Sequence, residues 1–168
     1  MGQLIFSIPL FFFFSVIQSV AISRIEIIAG TGDIVLLAII AWTIIDEDGN
    51  YLGWGIIAGF LISILSAMPL MATLAVYIGC ALTAKIATRI FWQSPILSLL
   101  SSVLIATVVK FFLEMIALQY LGITVPFILS VTSILVPTLV INLFFAFPIY
   151  VLMGDISRWL SPKDELYA

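Results

Sequence analysis

The stretch Tyr51–Pro69, YLGWGIIAGFLISILSAMP, decides the predicted fold of this chain. Small residues recur in it at every fourth position, at Gly55, Gly59, Ser63 and Ala67, so a helix here presents one nearly smooth stripe to a neighbour. Inside a lipid bilayer, close backbone approach along small residues is a main source of packing energy between helices. We therefore predict that the stretch is the central packing helix of a membrane bundle. The alternative is an ordinary spanning helix with scattered small residues, since Gly and Ser are common in such helices.

The composition of the whole chain also indicates a membrane protein. Among its 168 residues, 64% are hydrophobic and 9% are charged, whereas a typical soluble domain has roughly 25% charged residues. A soluble fold of this size could not bury so much apolar surface. The length suits one helical bundle and leaves no room for a separate soluble domain of normal size.

Residue types that usually carry chemistry are scarce in this chain. It contains no histidine, which removes the usual metal ligand and general base. Its single cysteine, Cys80, lies in an apolar segment, so no internal disulfide can form. No basic patch is present that could bind nucleic acid. We therefore predict no metal site and no cofactor.

Apolar runs along the chain predict an all-α polytopic membrane protein, a single domain in which six transmembrane helices form one bundle. The first run, Leu4–Ile22, has nineteen residues without a charge, about the length needed to cross a hydrocarbon core of roughly 30 Å. The run Leu52–Arg89 would reach about 57 Å as one straight helix, so it must fold back, and Ser66–Pro69 is the predicted turn. The six predicted helices are residues 4–22, 30–45, 52–67, 70–89, 96–121 and 134–153, followed by a tail at residues 154–168.

Asp33 stands directly before the apolar run Ile34–Ile45. A carboxylate at this position can accept hydrogen bonds from the free backbone N–H groups at a helix start and meets the positive end of the helix. We interpret Asp33 as a helix cap. Twelve apolar residues reach only about 18 Å, so we expect the second helix to include Ala29–Asp33 as well. The three carboxylates of the following turn, residues 46–48, lack the spacing of a calcium loop, which favours a solvated turn.

Lys110 and Glu114 lie near the middle of the fifth predicted helix. They are four residues apart and therefore share one face, where an intrahelical ion pair can form. Charges at this depth in a membrane are costly and normally face a bundle interior, a wet cavity or a partner. This intramembrane polar pair is the leading candidate site. Two alternatives stay open: the charges only neutralise each other, or Lys110 extends to the nearer membrane surface.

Pro137, Asn142 and Pro148 mark the last predicted helix. The two prolines are eleven residues apart, about three turns, so they should lie on the same face, and Pro148 frees the carbonyl group of Phe144. An amide in lipid needs a partner, so we expect Asn142 to form a hydrogen bond across helices. That bond supports the bundle or, alternatively, contacts a ligand. The preceding segment, Gly122–Ser133, is predicted to be an outer connection or an interfacial segment.

Six spans place both termini on the same side of the membrane. If that side is the cytoplasm, only Arg24 is outside, which agrees with the positive-inside rule, and the basic residues inside are Lys85, Arg89, Arg158 and Lys163. The tryptophans then fall near the cytoplasmic surface, where amphipathic rings anchor well: Trp42, Trp54, Trp92 and Trp159. We therefore predict a multi-pass protein with both termini, including the tail at residues 154–168, in the cytoplasm.

The order of these features resembles the MreD family of bacterial rod shape-determining membrane proteins. In the first part of the chain, the residues that carry the resemblance are Gln18, Arg24, Asp33, Trp42, Gly53, Gly55, Gly59, Ser66 and Pro69. The run Leu135–Asn142, LVPTLVIN, with Pro148 six residues on, is similar to the family's leucine-proline-small-residue run that ends in asparagine and then proline. Two positions depart from the family's pattern: Gly32 stands where proline is frequent, and no aspartate occurs near Ser63–Ser66.

The resemblance implies a non-enzymatic scaffold subunit of the cell-wall elongation (rod) complex in the bacterial inner membrane, which supports cell shape and peptidoglycan synthesis. The implied partners are an MreC-like protein, RodA with its class B penicillin-binding protein, indirectly the MreB filament, and membrane lipids. The implied fold is a six-helix bundle similar to the substrate-binding subunits of energy-coupling-factor transporters. On this interpretation the small-residue stripe and the helix of Asn142 build the bundle, and an outward groove receives a partner's membrane helix.

Two other functions compete with the scaffold interpretation. A solute-binding (vitamin) subunit of an energy-coupling-factor type transporter would need several convergent polar groups near the outer surface. The sequence offers few of these, chiefly Lys110, Glu114 and Asn142, with Tyr77 as a further candidate. An intramembrane enzyme would need paired acids, a histidine, or a nucleophile with a base. One lysine and one glutamate are too few for that chemistry, so we predict no catalytic residue and no enzyme.

Overall fold

The computed structural model describes residues 2–20, 30–46, 49–66, 68–91 and 94–160, with the side chains of residues 2–5, 19 and 20 left undescribed. The described part consists of six helices: α1 (Gly2–Val20), α2 (Ile34–Ile45), α3 (Tyr51–Leu65), α4 (Leu70–Ile90), α5 (Pro95–Tyr120) and α6 (Phe127–Leu160). A π-helical turn, Val131–Leu135, lies within α6. The sequence predictions for Arg24, Ala29, Asp48, Ala67, Trp92 and Lys163 concern residues outside this described part.

Helix α2 occupies the centre of the bundle. Its residues from Ile34 to Ile44 are all buried, and it contacts each of the other five helices. A helix that is apolar on every side is stable when neighbours surround it, and α2 has no polar face. The prediction that Tyr51–Pro69 supplies the central helix is therefore wrong, because α3 buries only one side, around Trp54 and Gly59.

Helix α2 is also shorter than predicted. It begins at Ile34, and residues 30 to 33 are not helical, so the expected extension of the helix to residue 30 is wrong. The side chain of Asp33 accepts a hydrogen bond from the N–H group of Leu36 at 2.9 Å and caps the helix. Gly30 packs against α6 so closely that a Cβ atom there would lie 2.5 Å from Cβ of Pro137. The helix is thus about 18 Å long, well short of a hydrocarbon core of roughly 30 Å.

The small-residue stripe of α3 faces α4. A Cβ atom built on Gly55 would lie 3.1 Å from the carbonyl oxygen of Tyr77, and one built on Gly59 would lie 3.0 Å from Cα of Leu74. The two backbones therefore approach as closely as the glycine spacing allows. Ser63 is only half-buried, and its hydroxyl donates to the carbonyl oxygen of Phe60 at 2.6 Å within α3.

Helix α6 begins earlier and ends later than predicted. It starts at Phe127 directly after Pro126 and continues to Leu160, so the outer connection predicted for residues 122–133 is limited to the short turn before Pro126. Gly122 has a φ angle of 78° in this turn, a conformation that glycine adopts without strain. Apolar residues follow Pro126 without a helix breaker, which explains the early start. The π-helical turn adds residues to the helix without interrupting it.

Pro137 and Pro148 differ in burial although both lie in α6. Pro137 is buried, whereas Pro148 is exposed. The main buried stripe of α6 runs through Ile141, Asn142 and Ile149, and Pro137 is buried because Gly30 covers it at one end of the helix. The two prolines have the spacing that the sequence predicted, but neighbouring residues cover Pro137 and leave Pro148 open.

The tryptophans do not form one belt at the membrane surface. Trp42 and Trp54 are buried in the core and stack on each other, with ring centroids 4.1 Å apart and planes inclined by 19°. Trp159 is exposed and lies 5.9 Å from the ring of Phe6. The predicted role of surface anchor is thus wrong for Trp42 and Trp54, because the central position of α2 places Trp42 inside the bundle.

Within the residues that the structure describes, three helices are long and apolar enough to cross a membrane: α4, α5 and α6. The remaining apolar helical segments of the described part are shorter: Phe6–Gln18, Ile34–Ile45 and Tyr51–Leu65. The alternation of helix directions places the start of α2, the end of α3, the start of α4 and the end of α5 at the same end of the bundle. This end contains the candidate site.

Candidate functional site: a polar network inside the bundle

Asp33 is the centre of a polar network that joins helices distant in sequence. Its side chain is 2% exposed. Oδ1 accepts the capping hydrogen bond from Leu36, while Oδ2 accepts a hydrogen bond from the hydroxyl of Tyr77 at 3.0 Å. Oδ2 also pairs with the ammonium group of Lys110. One carboxylate therefore links the start of α2 to α4 and α5.

Lys110 lies between two carboxylates. Its side chain is 16% exposed and pairs with Asp33, and its Nζ atom lies 3.6 Å from Oε1 of Glu114 on the same helix. The side chain of Glu114 is 40% exposed, so it reaches the open part of the site. Lys110 and Glu114 are neighbours on α5, as the sequence predicts, but the buried partner of Lys110 is Asp33. The Nζ atom also lies 5.8 Å from the centre of the Tyr77 ring, within the range of a cation–π contact.

Asn142 connects α6 to two other elements. Its Oδ1 accepts a hydrogen bond from the backbone N–H of Asp33 at 2.9 Å, and its Nδ2 donates to the hydroxyl of Thr107 at 3.1 Å. The side chain is fully buried. Each end of the amide therefore has a partner on a different element, which is the cross-helix bonding expected for an amide in an apolar interior.

The backbone before α2 is held from both sides. Gln18, near the end of α1, accepts a hydrogen bond from the N–H group of Val35 at 3.2 Å. On the other side, the hydroxyl of Thr138 accepts one from the N–H group of Thr31 at 3.3 Å. Backbone donors at a helix start have no partner within their own helix. Gln18 therefore satisfies the N–H group of Val35 in the first turn of α2, and Thr138 tethers the exposed Thr31 to α6.

Two cavities flank the charged pair. The larger one, of about 280 Å³, is bordered by α1, α3, α4 and α5, and it is lined by both Lys110 and Glu114. The smaller one, of about 60 Å³, lies towards the π-helical turn of α6 and is lined by the same two residues and Thr31. The charged pair is thus accessible from two spaces inside the protein.

Sequence reasoning identified Lys110, Glu114 and Asn142 but missed how they are connected. It treated Asp33 as a cap only, and it gave Tyr77 a minor place and Thr107 none. One signal was available for Asp33: a lysine at membrane depth requires a buried counterion, and acidic residues are rare in this chain. The remaining packing candidates are elsewhere, because Gly55, Gly59 and Ser63 face α4 or the exterior rather than this network.

The arrangement is suited to holding helices together and to binding a polar group. Among the described residues, no group of three His, Cys, Asp or Glu side chains could hold a metal ion. Both oxygens of Asp33 already accept hydrogen bonds from protein groups. Lys110 and Glu114 border both cavities, and Gln18, Thr31 and Tyr77 also border the larger one.

Comparison with known proteins gives a family for this chain. The family model of the rod shape-determining protein MreD matches residues 2–158. The chain belongs to the MreD family. The match covers all six helices of the described part nearly to the end of α6, so the whole polar network lies within the MreD region. No curated protein sequence and no solved structure matches the chain significantly.

Membership of the MreD family determines the broad class of function. MreD proteins are rod shape-determining proteins, so the chain has a role in the determination of cell shape. The family and the three long apolar helices together indicate a membrane protein. The resemblance to energy-coupling-factor subunits has no support from a matching structure.

Proposed function

We propose that this chain is a non-enzymatic scaffold subunit of the membrane complex that elongates the bacterial cell wall. It supports cell shape and peptidoglycan synthesis by binding an MreC-like protein and the wall synthase, which consists of RodA and a class B penicillin-binding protein. Through these partners it is connected indirectly to the MreB filament. The observation that carries the proposal is the match to the MreD family along residues 2–158.

The hydrogen bonding of the polar groups inside the bundle supports a structural role. Asp33 and Asn142 have their polar atoms occupied by other protein groups on α2, α4, α5 and α6. Groups that are already paired are poorly placed to act as a nucleophile or a base. A network of this kind fixes the relative positions of four helices, which is what a scaffold needs to present a constant surface to a partner.

We further propose that the chain is a multi-pass protein of the inner membrane with both termini in the cytoplasm. Contacts at the end of the bundle opposite the polar network support this topology. Phe6 near the start of α1 contacts Trp159 near the end of α6, and the ammonium group of Lys85 lies 6.0 Å from the ring centre of Tyr51. The basic residues Lys85, Arg89 and Arg158 therefore belong to one end, which the positive-inside rule places in the cytoplasm.

Co-purification tests the scaffold proposal. The tagged protein is extracted from its native membranes in mild detergent, and the proteins that accompany it are identified by mass spectrometry. We expect an MreC-like protein and the wall-synthase proteins. Recovery of paired ATPases with a second membrane subunit instead would contradict the scaffold and favour a solute-binding subunit.

Variants of the candidate site refine the same experiment. If the polar pair contributes to partner assembly, Lys110→Ala and Glu114→Gln should lower the yield of partners at unchanged expression. Asp155→Asn is the matched control, because Asp155 forms a surface ion pair with Arg158 at the other end of the bundle. Equal partner yields from all three variants would show that Lys110 and Glu114 have no part in assembly.

Cysteine labelling tests the topology. The single native cysteine, Cys80, is buried, so its background labelling should be low. A cysteine at Thr124, in the exposed turn before α6, should react with a membrane-impermeant maleimide added to intact cells. A cysteine at Asp155 should react only after the cells are opened. The reverse pattern would overturn the proposed orientation.

A further inference from the structure

The larger cavity beside Lys110 and Glu114 has the dimensions of a small binding site. Its volume is about 280 Å³, which is near the lower limit of roughly 300 Å³ for pockets that hold small molecules. One water molecule occupies about 30 Å³ of liquid, so the space is much larger than a void that a single structural water fills. The cavity is partly open.

Several polar groups beside this cavity, near the polar network, have hydrogen-bonding atoms without a protein partner among the described residues. Oε1 of Glu114 lies 3.6 Å from Lys110, and within the described part of the chain its second oxygen has no protein donor. Gln18 uses its oxygen to bind Val35, and among the described residues its amide hydrogens have no acceptor. Thr31 also lines the cavity. These groups can bind a ligand without breaking the contacts of Asp33.

The charge of this end favours a cation. Lys110 and Glu114 are the charged side chains among the described residues that line the cavity. Asp33, buried behind them, pairs with Lys110, so two negative charges are close to one positive charge. In an environment of low dielectric constant, the excess negative charge attracts a cation and repels an anion. An inorganic cation would require several oxygen ligands, and the oxygens of Asp33 are already occupied. An ammonium group, which needs only a few acceptors, fits better.

The part of the cavity at the junction of α3 and α4 is mostly apolar. Its lining there consists of Ile62, Leu65, Met68, Ala72 and Val76, with Ser66 and Thr73 as the polar residues. A ligand that fills the cavity must therefore have an apolar part next to its polar group. This pattern is that of an amphipathic molecule.

We propose that the cavity binds an amphipathic molecule through its primary ammonium group, which donates hydrogen bonds to Glu114 while the apolar part lies against the α3–α4 junction. A membrane lipid with an ethanolamine headgroup has this chemistry, and so does a free alkyl amine. The proposal concerns the isolated chain and no partner protein. It therefore stands or fails separately from the proposed scaffold role.

Lipid binding to the purified protein tests this inference. The protein is stripped of lipid in maltoside micelles and titrated with phosphatidylethanolamine or with phosphatidylcholine carrying the same acyl chains, and bound lipid is counted by native mass spectrometry. The two lipids differ only in the three methyl groups that replace the N–H donors. We expect the ethanolamine lipid to bind about tenfold more tightly, since a hydrogen bond to a charged group is at stake. Equal binding of both lipids would overturn the proposal.

Two pairs of variants locate the binding. Glu114→Gln should abolish the preference for the ethanolamine lipid, whereas Asp155→Asn, the same chemical change outside the cavity, should keep it. Ala72→Phe should block the apolar end, whereas Ala75→Phe, on the exposed side of α4, should not. A preference that survives both cavity variants would refute the assigned site.

The source of the ammonium group is distinguished by competition. Dodecylamine and phosphatidylethanolamine are added together to the wild-type protein. If the amine displaces the lipid at equal concentration, the site takes amines generally. If the lipid stays bound, the site is specific for the lipid headgroup. Both outcomes agree with recognition of an ammonium group.

Discussion

The ammonium group of Lys110 on α5 pairs with the carboxylate of Asp33, 77 residues earlier in the chain, inside the bundle. The carboxylate is almost completely buried, and it simultaneously caps the central helix α2. A buried charge without its partner is strongly unfavourable in an apolar interior. The pair therefore couples the position of α2 to that of α5, and both helices must be correctly placed for either charge to be tolerated.

Replacing Asp33 by asparagine should destabilise the protein strongly. The amide can still accept the capping hydrogen bond, but it removes the buried counterion of Lys110, and such a loss costs about 3–5 kcal/mol. Thermal unfolding of the detergent-purified protein, followed by tryptophan fluorescence, measures the effect. Asp155→Asn is the control and should change stability by less than about 0.5 kcal/mol, because Asp155 is at the surface. Equal unfolding temperatures of the two variants would contradict the importance of the buried pair.

Removing both charges should be less harmful than removing one. In Asp33→Asn combined with Lys110→Met, neither of the two buried charges remains, and Glu114, which loses Lys110 as a neighbour, has a side chain that is 40% exposed. We therefore expect recovery of about half or more of the stability lost in Asp33→Asn. The four proteins of this double-mutant cycle are compared by the same unfolding measurement. Strictly additive losses would show that the two side chains are not coupled.

Glu114→Gln should have only a small effect on stability. Glu114 is 40% exposed and lies 3.6 Å from Lys110, and partly exposed ion pairs contribute about 0–1 kcal/mol. The unfolding temperature should therefore stay close to that of the wild type, in contrast to Asp33→Asn. A loss as large as that of Asp33→Asn would mean that Glu114, and not Asp33, is the main counterion of Lys110.

The sequence predicted the local interactions of this site but not the long-range one. Capping by Asp33 follows from its position before an apolar run, and the closeness of Lys110 and Glu114 follows from helical spacing. The pairing of Lys110 with Asp33 depends on which helices are neighbours, and the apolar pattern of these helices does not encode that information. Every face of α2 is apolar, so periodicity could not show that five helices surround it.

The same reason explains why the sequence predicted the wrong location for Trp42 and Trp54 and the wrong helix at the centre of the bundle. Trp42 and Trp54 lie near the ends of their helices, a position that is typical of interfacial anchors. Their burial follows from the short length of α2, since a helix of about 18 Å cannot reach both membrane surfaces. The glycine stripe, in contrast, was predictable because Gly55 and Gly59 act through local spacing, and only the identity of their partner, α4, was not.

Replacing Asn142 by alanine should destabilise the bundle by leaving two polar groups unpaired. The backbone N–H of Asp33 would lose its acceptor and the hydroxyl of Thr107 would lose its donor, and a buried unpaired group costs about 1–3 kcal/mol. Thr107→Val is the control, because it removes one hydrogen bond and leaves the bond to Asp33 intact. The loss in unfolding temperature should be larger for Asn142→Ala. The reverse order would place the more important bond at Thr107.

Adding a methyl group at Gly30 should displace α2 from α6. A Cβ atom there would lie 2.5 Å from Cβ of Pro137 and 2.7 Å from the backbone nitrogen of Thr138, distances at which the two segments must move apart. Overpacking of this kind costs about 1–3 kcal/mol. Gly154→Ala, within α6 itself, is the matched control, since nothing lies within 4 Å of a Cβ atom at that position and alanine favours a helix.

The two glycine variants also connect packing with cell shape. Because Gly30 adjoins the segment that carries Asp33, a shift there disturbs the buried ion pair as well as the helix contact. We expect cells that depend on Gly30→Ala to become shorter and rounder, with a lower unfolding temperature of the purified protein, whereas Gly154→Ala should support normal rods. Normal rods and an unchanged unfolding temperature for Gly30→Ala would show that α2 and α6 can separate without consequence, and the ion pair would then not require their close approach.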